Sequence, residues 1–293
     1  MRMMRGCFSG LRHINEHFHR FGLTMHVGRD GGKSKTECMY YAGKGNHIDV
    51  DLSDIIVTND GGYVTFCDRF PYLGSRFTTS LRAGEDVKYR IQKAAGAFGA
   101  LKCIFKDRKI SVKAKTKVYM ALILGVLLYG GESWALLKRD QDNMERFHRR
   151  CMRTICNMSR RKQWKQHITS KELEQALNMQ SLEHYLQVRV LRWAGHVVRM
   201  DYSRMPRKLL FGWVNNKRPR GRTLLTFGHR VKRVVKKALD KAHHKIQREV
   251  RETSWTQLAK QRGKWLCLVH AGSAKADKHI RRCAAAAAAA GEE

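Results

Sequence analysis

Acidic side chains are scarce in this chain. Its 293 residues carry 25 Asp and Glu against 58 Lys and Arg, a formal net charge of +33. That balance calls for a polyanion and puts nucleic acid ahead of anionic membrane. With three prolines and 43% hydrophobic residues, the chain has material for a core, which excludes wholesale disorder. The eight cysteines, at 7, 38, 67, 103, 151, 156, 267 and 283, form no CxxC pair. Met1–Phe8 is basic but lacks the apolar stretch of about 7–15 residues that marks a signal peptide, so free thiols in a nuclear or cytoplasmic compartment are expected. The longest apolar run, Met120–Tyr129, is about half of a membrane span. It predicts a buried helix, and no membrane partner is expected.

The charge is uneven. Residues 1–75 hold nine Lys/Arg and eight Asp/Glu, whereas residues 76–293 hold 49 and 17. The nearly neutral part has strand and turn grammar after a helical opening. Leu11, Ile14, Phe18 and Phe21 recur at helical spacing, and Gly22 stops the helix. Leu23–Val27 alternates like a half-buried strand, Lys35–Tyr41 reads as a second, and Ile55–Val57 with Tyr63–Phe66 reads as a hairpin pair. The expectation is a small antiparallel β unit with one helix.

From about Thr79 the pattern is helical. Val87, Ile91, Ala94, Ala95, Phe98 and Leu101 form one stripe. Val118, Leu122, Ile123, Val126 and Leu127 form another, opened by Ser111 as N-cap and closed by Gly130-Gly131. Met144, Phe147, Cys151, Ile155 and Met158 mark a third helix, and Thr169-x-x-Glu172 reads as a capping box. Leu182, Leu186, Val190, Trp193 and Val197 stripe a further helix, and Ser254-x-x-Gln257 caps a last one carrying Trp255, Leu258 and Trp265. Between them, residues 202–239 contain 12 Lys/Arg and no acid. Such a block repels itself unless a polyanion covers it. The tail from Ala284 is of low complexity.

Several motifs occur in a telling order: Gly22-Leu-Thr-Met-His26 with Lys33–Cys38, Phe70-Pro-Tyr-Leu-Gly-Ser75, and Leu128-Tyr-Gly-Gly-Glu-Ser-Trp-Ala-Leu136. Glu145-x-Phe147-x-x-x-Cys151-x-Arg153-x-Ile155 follows, then Trp164-x-x-His167-Ile-Thr-Ser-x-Glu172-Leu173, then Arg189–Met200 and Arg218-Pro-Arg-Gly-Arg222. Over about residues 11–266 the chain resembles the C-terminal part of a non-LTR (LINE-type) retrotransposon reverse transcriptase. The resemblance implies an α+β, predominantly helical fold. Residues 1–75 would be the end of a polymerase palm with a primer-grip-like hairpin, 76–160 a helical thumb, 161–283 a basic helical region and 284–293 a tail. Gly22, Leu23, Lys35 and Thr36 match the palm motif whose lysine assists the leaving pyrophosphate. Tyr72 and Gly74 match the hairpin that grips the primer end. An exposed charge at Lys35 and an ordinary turn at Gly74 are the plain alternatives.

The departures carry equal weight. Template-directed synthesis needs carboxylates that hold two divalent metals, and the family supplies them from an early palm aspartate and an Asp-Asp pair. The chain contains no Asp-Asp dipeptide. Asp49, Asp51 and Asp54 lie after the lysine motif in a turn-rich stretch and read as solvated acids. The expectation is binding of an RNA template or RNA/DNA hybrid without catalysis. No cofactor is expected, magnesium belonging to a complete polymerase. An intact retroelement polymerase in trans is an expected partner. A helical nucleic-acid-binding protein derived from a retroelement, or a decayed reading frame, are the alternatives. The binding residues singled out are Arg207, Lys208, Trp213, Lys217, Arg218, Arg220, Arg222, Lys232 and Arg233 in the acid-free block, with Lys35, Tyr72 and Gly74. Trp213 is the better stacking residue, whereas Trp193 lies on an apolar stripe. Cys151, Cys156 and His167 are weighed as zinc ligands against core packing, as are the pairs His13/His17 and His279/Cys283.

Overall fold

The computed structural model describes residues 2–29, 32–41, 55–57, 61–212 and 227–271. The chain forms two compact units, Met1–Asp86 and Val87–Glu293.

In the first unit the amphipathic opening becomes α1 (Arg2–Arg20). Gly22, at φ +68°, ends it, and the N–H groups of Gly22 and Leu23 return to the carbonyls of His19 and Phe18 at 3.0 and 2.9 Å. Strands β1 (Glu37–Cys38), β2 (Ile55–Val57) and β3 (Tyr63–Phe66) form one sheet with β3 central. The β2–β3 pair is antiparallel, Ile55 opposite Thr65 and Val57 opposite Tyr63. Strand β1 runs parallel to β3, so the sheet is mixed where an antiparallel unit was expected. The stretch between Cys38 and Tyr63 is long enough for the crossover a parallel pair requires. Leu23–Val27 makes no ladder; only the next residue, Gly28, pairs with Tyr63, through two 2.9 Å hydrogen bonds. Val64 and Phe66 are the small buried core, packed by Leu11, Met25, Val27 and Cys38. Strands β4 (Arg69–Tyr72) and β5 (Ser75–Thr78) form a separate hairpin. Its turn, Leu73-Gly74, has φ of 46° and 83°, which matches the twist of a two-residue hairpin.

The helical part begins with α2 (Ala83–Ala100), α3 (Lys102–Lys106) and α4 (Val112–Val118). Ser111 caps α4 by accepting the Ala114 N–H. The apolar run then forms one π turn, Tyr119–Ile123, and α5 (Leu124–Leu127). It buries Ile123, Leu124, Leu127 and Leu128 and leaves Met120, Leu122 and Tyr129 exposed. Next come α6 (Lys138–Ile155), α7 (Arg160–Lys165), α8 (Ser170–Ala176) and α9 (Leu182–Val198). The capping box at α8 is formed in both directions by Thr169 and Glu172. After α10 (Met205–Phe211), α11 (Phe227–Leu239) and α12 (His244–Glu252), the expected last helix is two: α13 (Trp255–Lys260) and α14 (Arg262–Val269). Gln261 is extended between them, at φ −87° and ψ 92°. The break lets both Leu258 and Trp265 reach the core that α9 shares with α11 and α12. Among the described residues no helix is long and apolar enough to cross a membrane.

At the π turn, Tyr119 is fully buried and its hydroxyl meets Nδ1 of the equally buried His148 at 2.7 Å. Burial, with Arg149 adding to it, pushes the imidazole pKa from 6.5 down to about 4. The folded state therefore needs neutral His148, and the stability this represents is complete above pH 6.5 and lost as pH falls toward 4. Urea unfolding is expected to show a loss of about 2 kcal/mol from this group between pH 7 and pH 5. A Tyr119→Phe/His148→Leu double variant removes both polar partners and that share of the pH dependence.

Candidate nucleic-acid interface

Helix α6 is divided lengthwise by its own periodicity. Met144, Phe147, Cys151 and Ile155 face the core with His148 and Met152, so the intervening arginines are forced outward. Arg146, Arg149, Arg150 and Arg153 are related by three- and four-residue steps through either Arg149 or Arg150, and form a row that spans about 10 Å of the helix. Helix α7, capped by Ser159 through the Lys162 N–H, brings Arg160 and Trp164 against this row. Gln163 fastens the two helices. It accepts from Arg153 Nη1 at 3.4 Å and donates to the Ile168 carbonyl at 3.0 Å.

The result is a cleft of about 830 Å³ whose lining includes all five arginines, Phe147, Trp164 and His167. The indole of Trp164 is 75% exposed. Two carboxylates lie near. Glu145 meets Arg149 Nε at 3.3 Å, and Glu174 has its pKa raised by burial and by Glu145, against the pull of Arg149 and Lys171. Cations remain in excess. The Arg153 guanidinium is held below its usual pKa by burial and then by Arg160, Arg149 and Arg150, so these like charges repel one another. A phosphate backbone would relieve that repulsion through charge-assisted, often bidentate contacts.

Three successive helices end with the same backbone turn, at Asn157, His167 and Asn178, with φ of 49°, 51° and 49°. Asparagine tolerates this left-handed region; histidine adopts it at a cost of about 1 kcal/mol. His167 is thus held in strain on the cleft wall, closed by the bonds His167 N–H to Trp164 O at 3.1 Å and Ile168 N–H to Gln163 O at 3.1 Å.

The residues singled out by sequence are scattered. Lys35 is exposed in the bend before β1, its backbone N–H on His26 Nδ1 at 3.2 Å. Tyr72 and Gly74 sit in the separate β4–β5 hairpin, where Tyr72 is 55% exposed and meets Phe77 edge-on at 6.1 Å. Arg207 and Lys208 lie on α10, and Lys232 and Arg233 on α11, which packs on α10. Arg207 lies 3.6 Å over the Tyr202 ring and donates to the Met200 carbonyl, whereas Lys208, Lys232 and Arg233 are exposed. Trp213, Lys217, Arg218, Arg220 and Arg222 lie outside the described residues, as do His279 and Cys283. Cys151 is buried with its thiol pushed up to about 12, Cys156 is half-buried, and His167 is exposed. His13 and His17 are exposed on α1. Among the described residues no three His, Cys, Asp or Glu side chains gather into a metal site. The arginine row was readable in the sequence as a second stripe opposite Met144, Phe147 and Cys151.

No family model matches the chain, and no solved structure matches it. A protein of Caenorhabditis elegans named as transposon-derived is 23% identical over 204 residues, covering 69% of this chain and 70% of that protein. This fits a retroelement origin. Replacing His167 by glycine should relieve the strained turn and raise stability by up to about 1 kcal/mol in urea unfolding; an unchanged midpoint would show that the imidazole compensates for its backbone.

Proposed function

We propose that the chain is the terminal part of a non-LTR retrotransposon reverse transcriptase that binds RNA or an RNA/DNA hybrid and does not polymerise. On this reading the first unit is the end of a palm, the β4–β5 hairpin the counterpart of a primer grip, and the helices that follow a thumb and a basic region. The observation that carries it is the cleft of α6 and α7, in which five arginines and an exposed indole face one space. The transposon-derived relative supports the retroelement part, and the ordered motifs support the polymerase part. Within these 293 residues there is no Asp-Asp dipeptide of the kind that holds the metals of synthesis, which supports reading this stretch as one that binds. On the same reading Lys35 occupies the pyrophosphate-assisting position of the palm motif.

Binding of this kind is electrostatic and falls steeply with salt. Arg146→Gln/Arg150→Gln removes two exposed cations from the row and is expected to lower affinity for RNA and hybrid alike, reducing the log–log salt slope by about 1 per lost contact. An unchanged slope would move the interface elsewhere. Primer extension with magnesium and an RNA template should yield no DNA, and a DNA product would overturn the non-catalytic reading.

A further inference from the structure

We propose that the α6/α7 cleft selects an unpaired strand over a duplex, with one base stacked on Trp164 and the flanking phosphates on the arginine row. This rests on the nucleic-acid reading above and specifies its ligand. Four observations bear on it. Trp164 is 75% exposed, and among the described residues no ring or cation lies against it, unlike Trp255, which stacks on Phe211 at 6.3 Å and meets Trp265 at a tilt at 6.0 Å. The indole projects from a helix whose ends are held by Ser159, Gln163 and the turn at His167, so the backbone that carries it is fixed before a base arrives. Arg146 and Arg150, like Arg149 and Arg153, lie about one turn apart on α6, on the order of 5 Å, two steps on which successive phosphates of one strand can rest. A duplex hides its base faces within its own stack, where a protruding indole cannot reach them, whereas an unpaired base offers its whole face. His167, kept at φ +51° on the same wall, supplies a second ring and a donor beside the stacked base.

The test measures fluorescence anisotropy of labelled oligo(U) and of a labelled oligo(A)·oligo(U) duplex, at one salt concentration, with the full chain, Trp164→Ala and Trp164→Phe. The expected result is tighter binding of oligo(U) by the full chain, and a loss of roughly tenfold for oligo(U) in Trp164→Ala. Duplex affinity should be unchanged, and Trp164→Phe should recover most of the loss. Because Trp164 is exposed, far-UV circular dichroism should match across the three. Equal weakening toward both probes, or none, would overturn strand selection while leaving nucleic-acid binding in place. Failure of the unaltered chain to bind either probe would overturn the underlying reading.

Discussion

The indole of Trp265 lies against the bare Cα of Gly195 and donates its N–H to the Leu191 carbonyl at 2.9 Å. A Cβ on residue 195 would sit 2.1 Å from that nitrogen, so only glycine admits the contact. Around it α9 gathers α10, α11, α13 and α14, and Arg199 reaches the Ala259 carbonyl at 2.6 Å. Because α9 buries so much of its own surface, including Val190, Leu191, Ala194, Val197 and Val198, the surrounding helices are obliged to turn their cations outward. The basic exterior is the geometric complement of this apolar centre.

That exterior would be unfavourable by itself, and the few acids show how it is managed. Glu183 pairs with Lys237 at 2.6 Å and Glu249 with Lys264 at 2.9 Å, while Glu132 lies 3.9 Å from Arg189. Arg230 needs no carboxylate contact: its guanidinium, held at about 10 by burial despite Glu132, donates to the carbonyls of Gly131 and Trp134. The Leu128–Leu136 motif is thereby tied to α11. The α6/α7 row has Glu145 and Glu174 beside it. A polyanion laid there would neutralise the mutual repulsion of these arginines and, by binding the folded chain, stabilise it.

Local chemistry was the legible part. Ser111, Thr169 with Glu172, and Ser254 cap helices as their spacing implies, and the Ile55–Val57 and Tyr63–Phe66 runs pair antiparallel as expected of a hairpin pair. What escaped depends on distant partners. The parallel β1–β3 pairing and the break at Gln261 follow from where Cys38, Leu258 and Trp265 must pack. The site was half legible. Sequence drew attention to the acid-free block, yet Arg207 turns its charge onto Tyr202. Trp164, Trp193, Trp255 and Trp265 all sit among Lys and Arg in the sequence, and only packing separates an exposed indole from a buried one. The stripe of Arg146, Arg149, Arg150 and Arg153 was overshadowed by the apolar stripe that places it.

The central claim, that the cleft of α6 and α7 is where nucleic acid lies, is tested most directly by ultraviolet cross-linking of the full chain to uridine-rich RNA, followed by mapping of the modified peptides. Cross-links concentrated on residues 160–168, around Trp164 and His167, are the predicted result. Cross-links confined to the β4–β5 hairpin or to α11, with the 160–168 peptide unmodified, would contradict it.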